Sequence, residues 1–239
     1  MKKLLILTFT LPVILLSCIK EPEPEPEVIR AYCYLYHFIS GLESVVWEAA
    51  GYEVPEAELY SIAFPGSIIL QEDSEEITFA VKRAVTKEVL ISQVFQLEKD
   101  IYYNVVVGGT AEDPELIIRE IDTKNHPQTG NVKFQVMHAI PGQDSIDIYM
   151  GGTTENKKLV SGLDFFELSD PFETSDYDAR SAIVVTKHSP IYEQDSVLVN
   201  LLYNSQIISS GNHFGIVAPL SYEGGPDLNL WIYSVPLEY

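Results

Sequence analysis

HAIPGQDSIDIYMGG, His138–Gly152, and HFISGLESVVWEAAG, His37–Gly51, are two versions of one stretch set 101 residues apart. Five of the fifteen aligned positions are identical: His37/His138, Ile39/Ile140, Gly41/Gly142, Ser44/Ser145 and Gly51/Gly152. Glu43/Asp144 and Val45/Ile146 are conservative. Each copy reads as the end of one strand, a glycine-containing turn, and a second strand with period-two alternation. In Ser145–Met150 that alternation puts Ile146, Ile148 and Met150 on one face and Asp147 and Tyr149 on the other. The same register sends Val45, Trp47 and Ala49 inward, so Trp47 is expected in a core. A histidine at the end of the first strand is placed to hydrogen-bond loop backbone and fix the turn.

Outward from these stretches both halves carry the same succession of short apolar segments. The first half holds AYCYLYHF, SVVWEA, GSIIL, ITFAVKR, EVLISQVFQL, IYYNVVV and ELIIREI. The second holds VKFQVMHA, SIDIYM, KKLVSGL, SAIVVTK, DSVLVNLLY, HFGIVAP and LNLWIYSV. All are rich in β-branched and aromatic residues and separated by Gly, Pro, Asn or Asp, with no helical period between them. Seven such strands per half predict two tandem antiparallel β-sandwiches of about 100 residues each. The polar stretch TKNHPQTGN, Thr123–Asn131, is the natural seam, which places the sandwiches at 28–129 and 130–239.

His138-Ala139-Ile140-Pro141, a turn, Ile146-Asp147-Ile148-Tyr149 and a glycine pair resemble the opening of the domain of unknown function numbered 4397. Gly162-Leu163 before an aromatic stretch, and Gln206–Val217, are similar to later elements of that family. The resemblance covers the second half. The first half departs from it at Ser40 and Val46, and the second at Ile140. It implies immunoglobulin-like β-sandwich repeats of the kind found in secreted and surface bacterial proteins, and it carries no catalytic residues across.

The N-terminus reads as an address and not as fold. Met1-Lys2-Lys3 precedes an apolar run from Leu4 to Leu16, too short for a membrane span, so 1–17 is expected to be a signal peptide. Leu15-Leu16-Ser17-Cys18 resembles the bacterial lipobox, which makes Cys18 the lipidation site and the membrane a partner through that lipid. Residues 18–27 follow as a tether: proline at alternate positions of IKEPEPEPE forbids helix and sheet and gives an extended spacer of roughly 20–30 Å. Lys20 with the acidic residues after it resembles the surface-export signal of Bacteroidota lipoproteins, so the expected location is the outer membrane, on the cell surface, with its periplasmic face as the alternative. With Cys18 consumed, Cys33 has no disulfide partner and is expected to be a small buried hydrophobe.

The charge balance, 15 Lys+Arg against 35 Asp+Glu for a net −20, opposes binding to phosphate backbones and excludes nucleic acid as a partner. GxSxG, HExxH, CxxC, P-loop and GxGxxG motifs are all missing. No catalytic residue, cofactor or metal ligand set is assigned. The candidate binding loop is DFFELSDPFETSDYD, Asp164–Asp178, where Phe165, Phe166, Phe172 and Tyr177 stand among six carboxylates. Asp176-Tyr177-Asp178 has alternating carboxylates without the glycine a Ca²⁺ loop uses. An opposing reading buries the phenylalanines between the repeats. Three classes of function stand: a binding or adhesion module recognising glycan or another envelope protein; a structural spacer or subunit of a pilus- or uptake-associated surface assembly; and an enzyme with an unrecognised site.

Overall fold

The structure is a computed structural model, and it describes residues 27–58, 62–192, 194–204, 207, 210–219 and 227–235. The expected signal peptide, Cys18 and most of the expected tether lie outside the described residues; Glu27 pairs with Lys99 at 2.5 Å. Among the described residues no helix is long and apolar enough to cross a membrane.

The first sandwich comprises β1 (Arg30–His37), β2 (Ser44–Ala49), β3 (Tyr52–Glu58), β4 (Ile62–Ile69), β5 (Ser74–Arg83), β6 (Val89–Glu98), β7 (Tyr102–Gly109) and β8 (Pro114–Glu120). The second comprises β9 (Asn131–His138), β10 (Ile146–Met150), β11 (Lys158–Leu163), β12 (Phe172–Ser175), β13 (Ala182–Lys187), β14 (Val197–Leu202), β15 (Asn212–Pro219) and β16 (Leu228–Val235), with a short helix α1 (Asp176–Ser181) before β13. Sheet orders are β4-β1-β7-β8 with β3-β2-β5-β6, and β12-β9-β15-β16 with β11-β10-β13-β14. Each strand of the first sandwich therefore has its counterpart eight strands later. Every neighbouring pair is antiparallel except β1–β7 and β9–β15, which are parallel. The intervening strands supply the long connection a parallel pair needs.

The sequence pattern marks seven strands in each half where the structure has eight. It misses β3, whose sequence YEVPEAE is acidic and broken by Pro55, and β12, which is only FETS. Both are edge strands, where a missing N–H and polar side chains are tolerated. It also misses α1. There the Ser175 hydroxyl caps the Asp178 N–H at 3.1 Å, with Asp176 and Asp178 in the first turn and Arg180 in the last.

Each sandwich has its own core. Ala31, Cys33, Leu35, Trp47, Phe79, Val81 and Val105 fill the first; Val132, Phe134, Val136, Ile146, Ile148, Ile183 and Val185 fill the second. Trp47 and Ile148 are both fully buried at equivalent positions of β2 and β10. His37 and His138 close their strands alike. Nδ1 accepts from the backbone N–H two residues on (Ile39, 3.3 Å; Ile140, 3.2 Å), and Nε2–H donates to a carbonyl beyond the turn (Leu42, 3.1 Å; Asp144, 3.1 Å). Those roles require a neutral ring. Burial agrees, lowering the pKa of His37 to about 4 and that of His138 in the same direction. Gly41 (φ +84°) and Gly142 (φ +72°) make the turns the rings brace.

A third core joins the sandwiches. The outer faces of the β1–β7 and β9–β15 sheets meet through Tyr36, Phe38 and Val106 on one side and Met137, Phe214 and Ile216 on the other. Tyr36 sits edge-on to Phe214 at 5.3 Å, and its hydroxyl donates to Asn104 Oδ1 at 3.0 Å. The equivalent face of each repeat is used, so like packs on like. Strands covered on both faces lose their alternation: β7 is buried from Tyr103 to Gly109 and β15 along its whole length. At the rim, Lys133 binds Asp122 at 2.6 Å and Asn212 Nδ2–H donates to the Asp122 carbonyl at 3.0 Å.

Candidate functional site

The stretch Asp164–Asp178 leaves β11 and is fastened to β9 before it becomes β12. The Phe166 N–H donates to the His138 carbonyl at 2.7 Å, and the His138 N–H to the Glu167 carbonyl at 3.2 Å. Phe166 adopts φ +59° to make this return. Its ring is 7% exposed and lies in the third core against Gly108, where any Cβ would collide with it. Phe165 packs on the same core and meets the His138 ring edge-on at 5.9 Å. Phe172 pairs with Phe134 across β12 and β9, and the two rings stack at 6.1 Å.

The expected strip of solvent-facing aromatics is therefore not presented. Phe165 and Phe166 pack between the sandwiches and Phe172 packs on the second core, because apolar rings beside an interface gain most by closing it. Tyr177, on α1, remains exposed. Of the loop's six carboxylates, Asp164 accepts from Ser145 Oγ, Asp176 pairs with Arg180, and Asp178 pairs with Lys157 at 2.6 Å. The Lys157 hydrogen bond, against a smaller effect of burial, holds Asp178 below the ordinary carboxylate range.

The far end of α1 is joined to a second exposed segment that sequence alone did not mark. The Tyr203 N–H donates to the Ser181 carbonyl at 3.2 Å and the Asn204 N–H to the Arg180 carbonyl at 2.8 Å, fastening the end of β14 to α1. Tyr177 (79% exposed), Leu202 (72%) and Tyr203 (84%) are carried on these two joined segments. Tyr203 sits at φ +57°, off the β14 path.

The other polar cluster is centred on Asp147, which alternation assigned to the outward face of β10. That face is covered as well: Asp147 and Tyr149 are both fully buried. The Asp147 carboxylate accepts from the Gly162 N–H at 2.8 Å, the Ser189 N–H at 3.3 Å and His188 Nδ1 at 2.7 Å, and pairs with Lys158 at 3.3 Å. Burial pushes its pKa up, but the His188 and backbone hydrogen bonds and the Lys158 charge outweigh that and hold it down. Lys158 also lies over the Tyr149 ring at 5.5 Å.

A carboxylate on Nδ1 orients an imidazole as it would for a general base. Among the described residues, however, no hydroxyl or thiol is hydrogen-bonded to the other His188 nitrogen. Nor does any group of three His, Cys, Asp or Glu there have the geometry to hold a metal. The cluster ties β10, β11 and the segment after β13 together. No protein-family model matches the chain, and no curated protein matches it.

Proposed function

We propose that this protein is a non-catalytic binding module, held at the outer membrane by lipid on Cys18 and presented on the cell surface. Its recognition surface is the α1 end of the second sandwich. The observation that carries this reading is the joined, exposed set Tyr177, Leu202 and Tyr203. Tyrosines there offer a flat apolar face with a hydroxyl edge, suited to stacking on a sugar ring or filling a pocket on another envelope protein. The acidic balance favours a hydroxyl-rich or cationic partner. The LLSC sequence followed by the proline tether supports the anchor. The likeness of the second repeat to the domain of unknown function 4397 supports a surface role.

The test is the pair Tyr177→Ala and Tyr203→Ala, assayed on a glycan array and for adhesion to surfaces coated with isolated envelope proteins. Loss of binding by about tenfold or more, with the melting temperature unchanged, is the expected result. Undiminished binding by the double variant refutes the assignment. A second reading, a rigid spacer or subunit of a surface assembly, is favoured by the third core, which makes one body of the two sandwiches. It predicts stable co-purification with other envelope proteins that survives both tyrosine substitutions.

A further inference from the structure

The equivalence of the two sandwiches exposes one place where they are built differently. In the second, Phe134 of β9 faces Phe172 of β12, and their stacked rings fill the gap between the sheets at that edge. In the first, the same register pairs Cys33 of β1 with Gly66 of β4. A thiol and a hydrogen thus stand where the second repeat has two phenyl rings. The space has not closed. A cavity of about 290 Å³ lies there, opening between the edge strands β3 and β4.

Its walls include Ala49, Val54, Ile68 and Phe79 together with Cys33; Glu53 and Ser67 border it, but the Glu53 carboxylate pairs with Lys82 at 3.4 Å and the Ser67 hydroxyl accepts from Arg30 at 2.8 Å. Cys33, Ala49 and Phe79 are buried, whereas Glu53 and Ser67 are exposed, so the interior is apolar and the mouth meets solvent. Burial pushes the Cys33 thiol up to about 12, so it is a neutral, soft wall and not a nucleophile. Apolar cavities of about 150 Å³ in protein cores stay dry and take up benzene. A larger one with a mouth can take up a ring and expose its polar edge.

We propose that this cavity is a binding site for a small uncharged aromatic molecule of one or two rings, carrying an N–H or O–H donor on its edge. The rings replace those that Phe134 and Phe172 supply in the second repeat. The donor stays in water at the mouth, and the apolar interior disfavours anionic aromatics, whose charge would be buried there unpaired. This site is separate from the α1 surface and stands whether or not that surface binds a partner.

Indole and benzoate are the probes, titrated into the purified full chain by calorimetry, with methyl NMR as the second readout. Wild type is expected to bind indole saturably at one site and benzoate at least about tenfold more weakly. The ring-filled variant Cys33→Phe/Gly66→Phe is expected to lose indole binding and to stay folded. Indole is also expected to shift the Ala49 and Ile68 methyl resonances while leaving those of Ile148 and Val185 in place, a readout that does not depend on the variant folding. Failure of wild type to bind indole saturably, shifts confined to other residues, or equal binding by the folded filled variant would each overturn the proposal. Loss of binding after Tyr177→Ala/Tyr203→Ala would also overturn it, by moving the site to the α1 end.

Discussion

Replacing Phe166 with alanine tests whether the loop that carries it is a packing element. The ring is almost wholly buried in the third core. An aromatic side chain covers about 150–250 Å², worth about 4–6 kcal/mol at roughly 25 cal/mol per Å². Measured Phe→Ala costs of about 3–5 kcal/mol and relaxation of Phe165 into the space put the expected loss near 3 kcal/mol. For a protein of this size that is a fall of about 6–12 °C in Tm. Gly108 supplies the internal check. Gly108→Ala drives a methyl group into the ring and is expected to cost about 1–3 kcal/mol through overpacking. In the Phe166→Ala background the obstacle is gone, so the same substitution is expected to cost under about 0.5 kcal/mol, a coupling of about 0.5–3 kcal/mol. Urea midpoints of wild type, both singles and the double close the cycle. A Tm for Phe166→Ala within a degree of wild type, or equal cost of Gly108→Ala in both backgrounds, would show that the ring does not join the sandwiches and would restore it to the candidate binding surface.

Acid should act through His37. Its pKa falls from 6.5 when unfolded to about 4 when folded, so the unfolded chain binds the extra proton between those values and stability is lost as pH falls through that window. The loss approaches about 3 kcal/mol near pH 4. It should be missing from His37→Gln, so the stability difference between wild type and the variant, measured by urea unfolding, should change as pH falls from 7.5 to 4; parallel curves would contradict the neutral-ring turn. Asp147→Ala leaves Lys158 buried with Glu155 at 3.5 Å as its remaining carboxylate and the Ser189 carbonyl at 3.2 Å, and a loss of about 3 kcal/mol is expected. Most of that should return in Asp147→Leu/Lys158→Leu, and no recovery would mean that the cluster holds the fold through the Gly162 and Ser189 N–H bonds alone. Because the folded pKa of Asp147 is depressed, its contribution is present above the unfolded carboxylate value and is lost only as pH falls below it. Cys18→Ser should abolish incorporation of labelled palmitate and release the protein from the membrane fraction or trap it as precursor; wild-type labelling of the variant would end the lipid assignment.

The repeat and its alternation were enough to place Trp47 and Ile148 in two separate cores and to make His37 and His138 turn-fixing groups. Period-two patterning is a local property, and it states correctly that a residue is buried on one face. It does not state what covers the other face. Asp147 and Tyr149 look outward by pattern yet are buried, because His188, 41 residues away, and Lys158 arrive from other segments. The continuous apolar runs of β7 and β15 carried a legible hint that both their faces are covered. Nothing local in DFFELSDPFETSDYD tells a solvent-facing phenylalanine from one docked against Gly108. The cavity is equally non-local, since a cysteine and a glycine become an opening only when β1 and β4 pair them across a sheet whose twin pairs two phenylalanines. Sequence fixes which residues prefer burial. Only the long-range closure of sheets and of the interface decides which of them share a core, which brace a turn, and which are left at the surface.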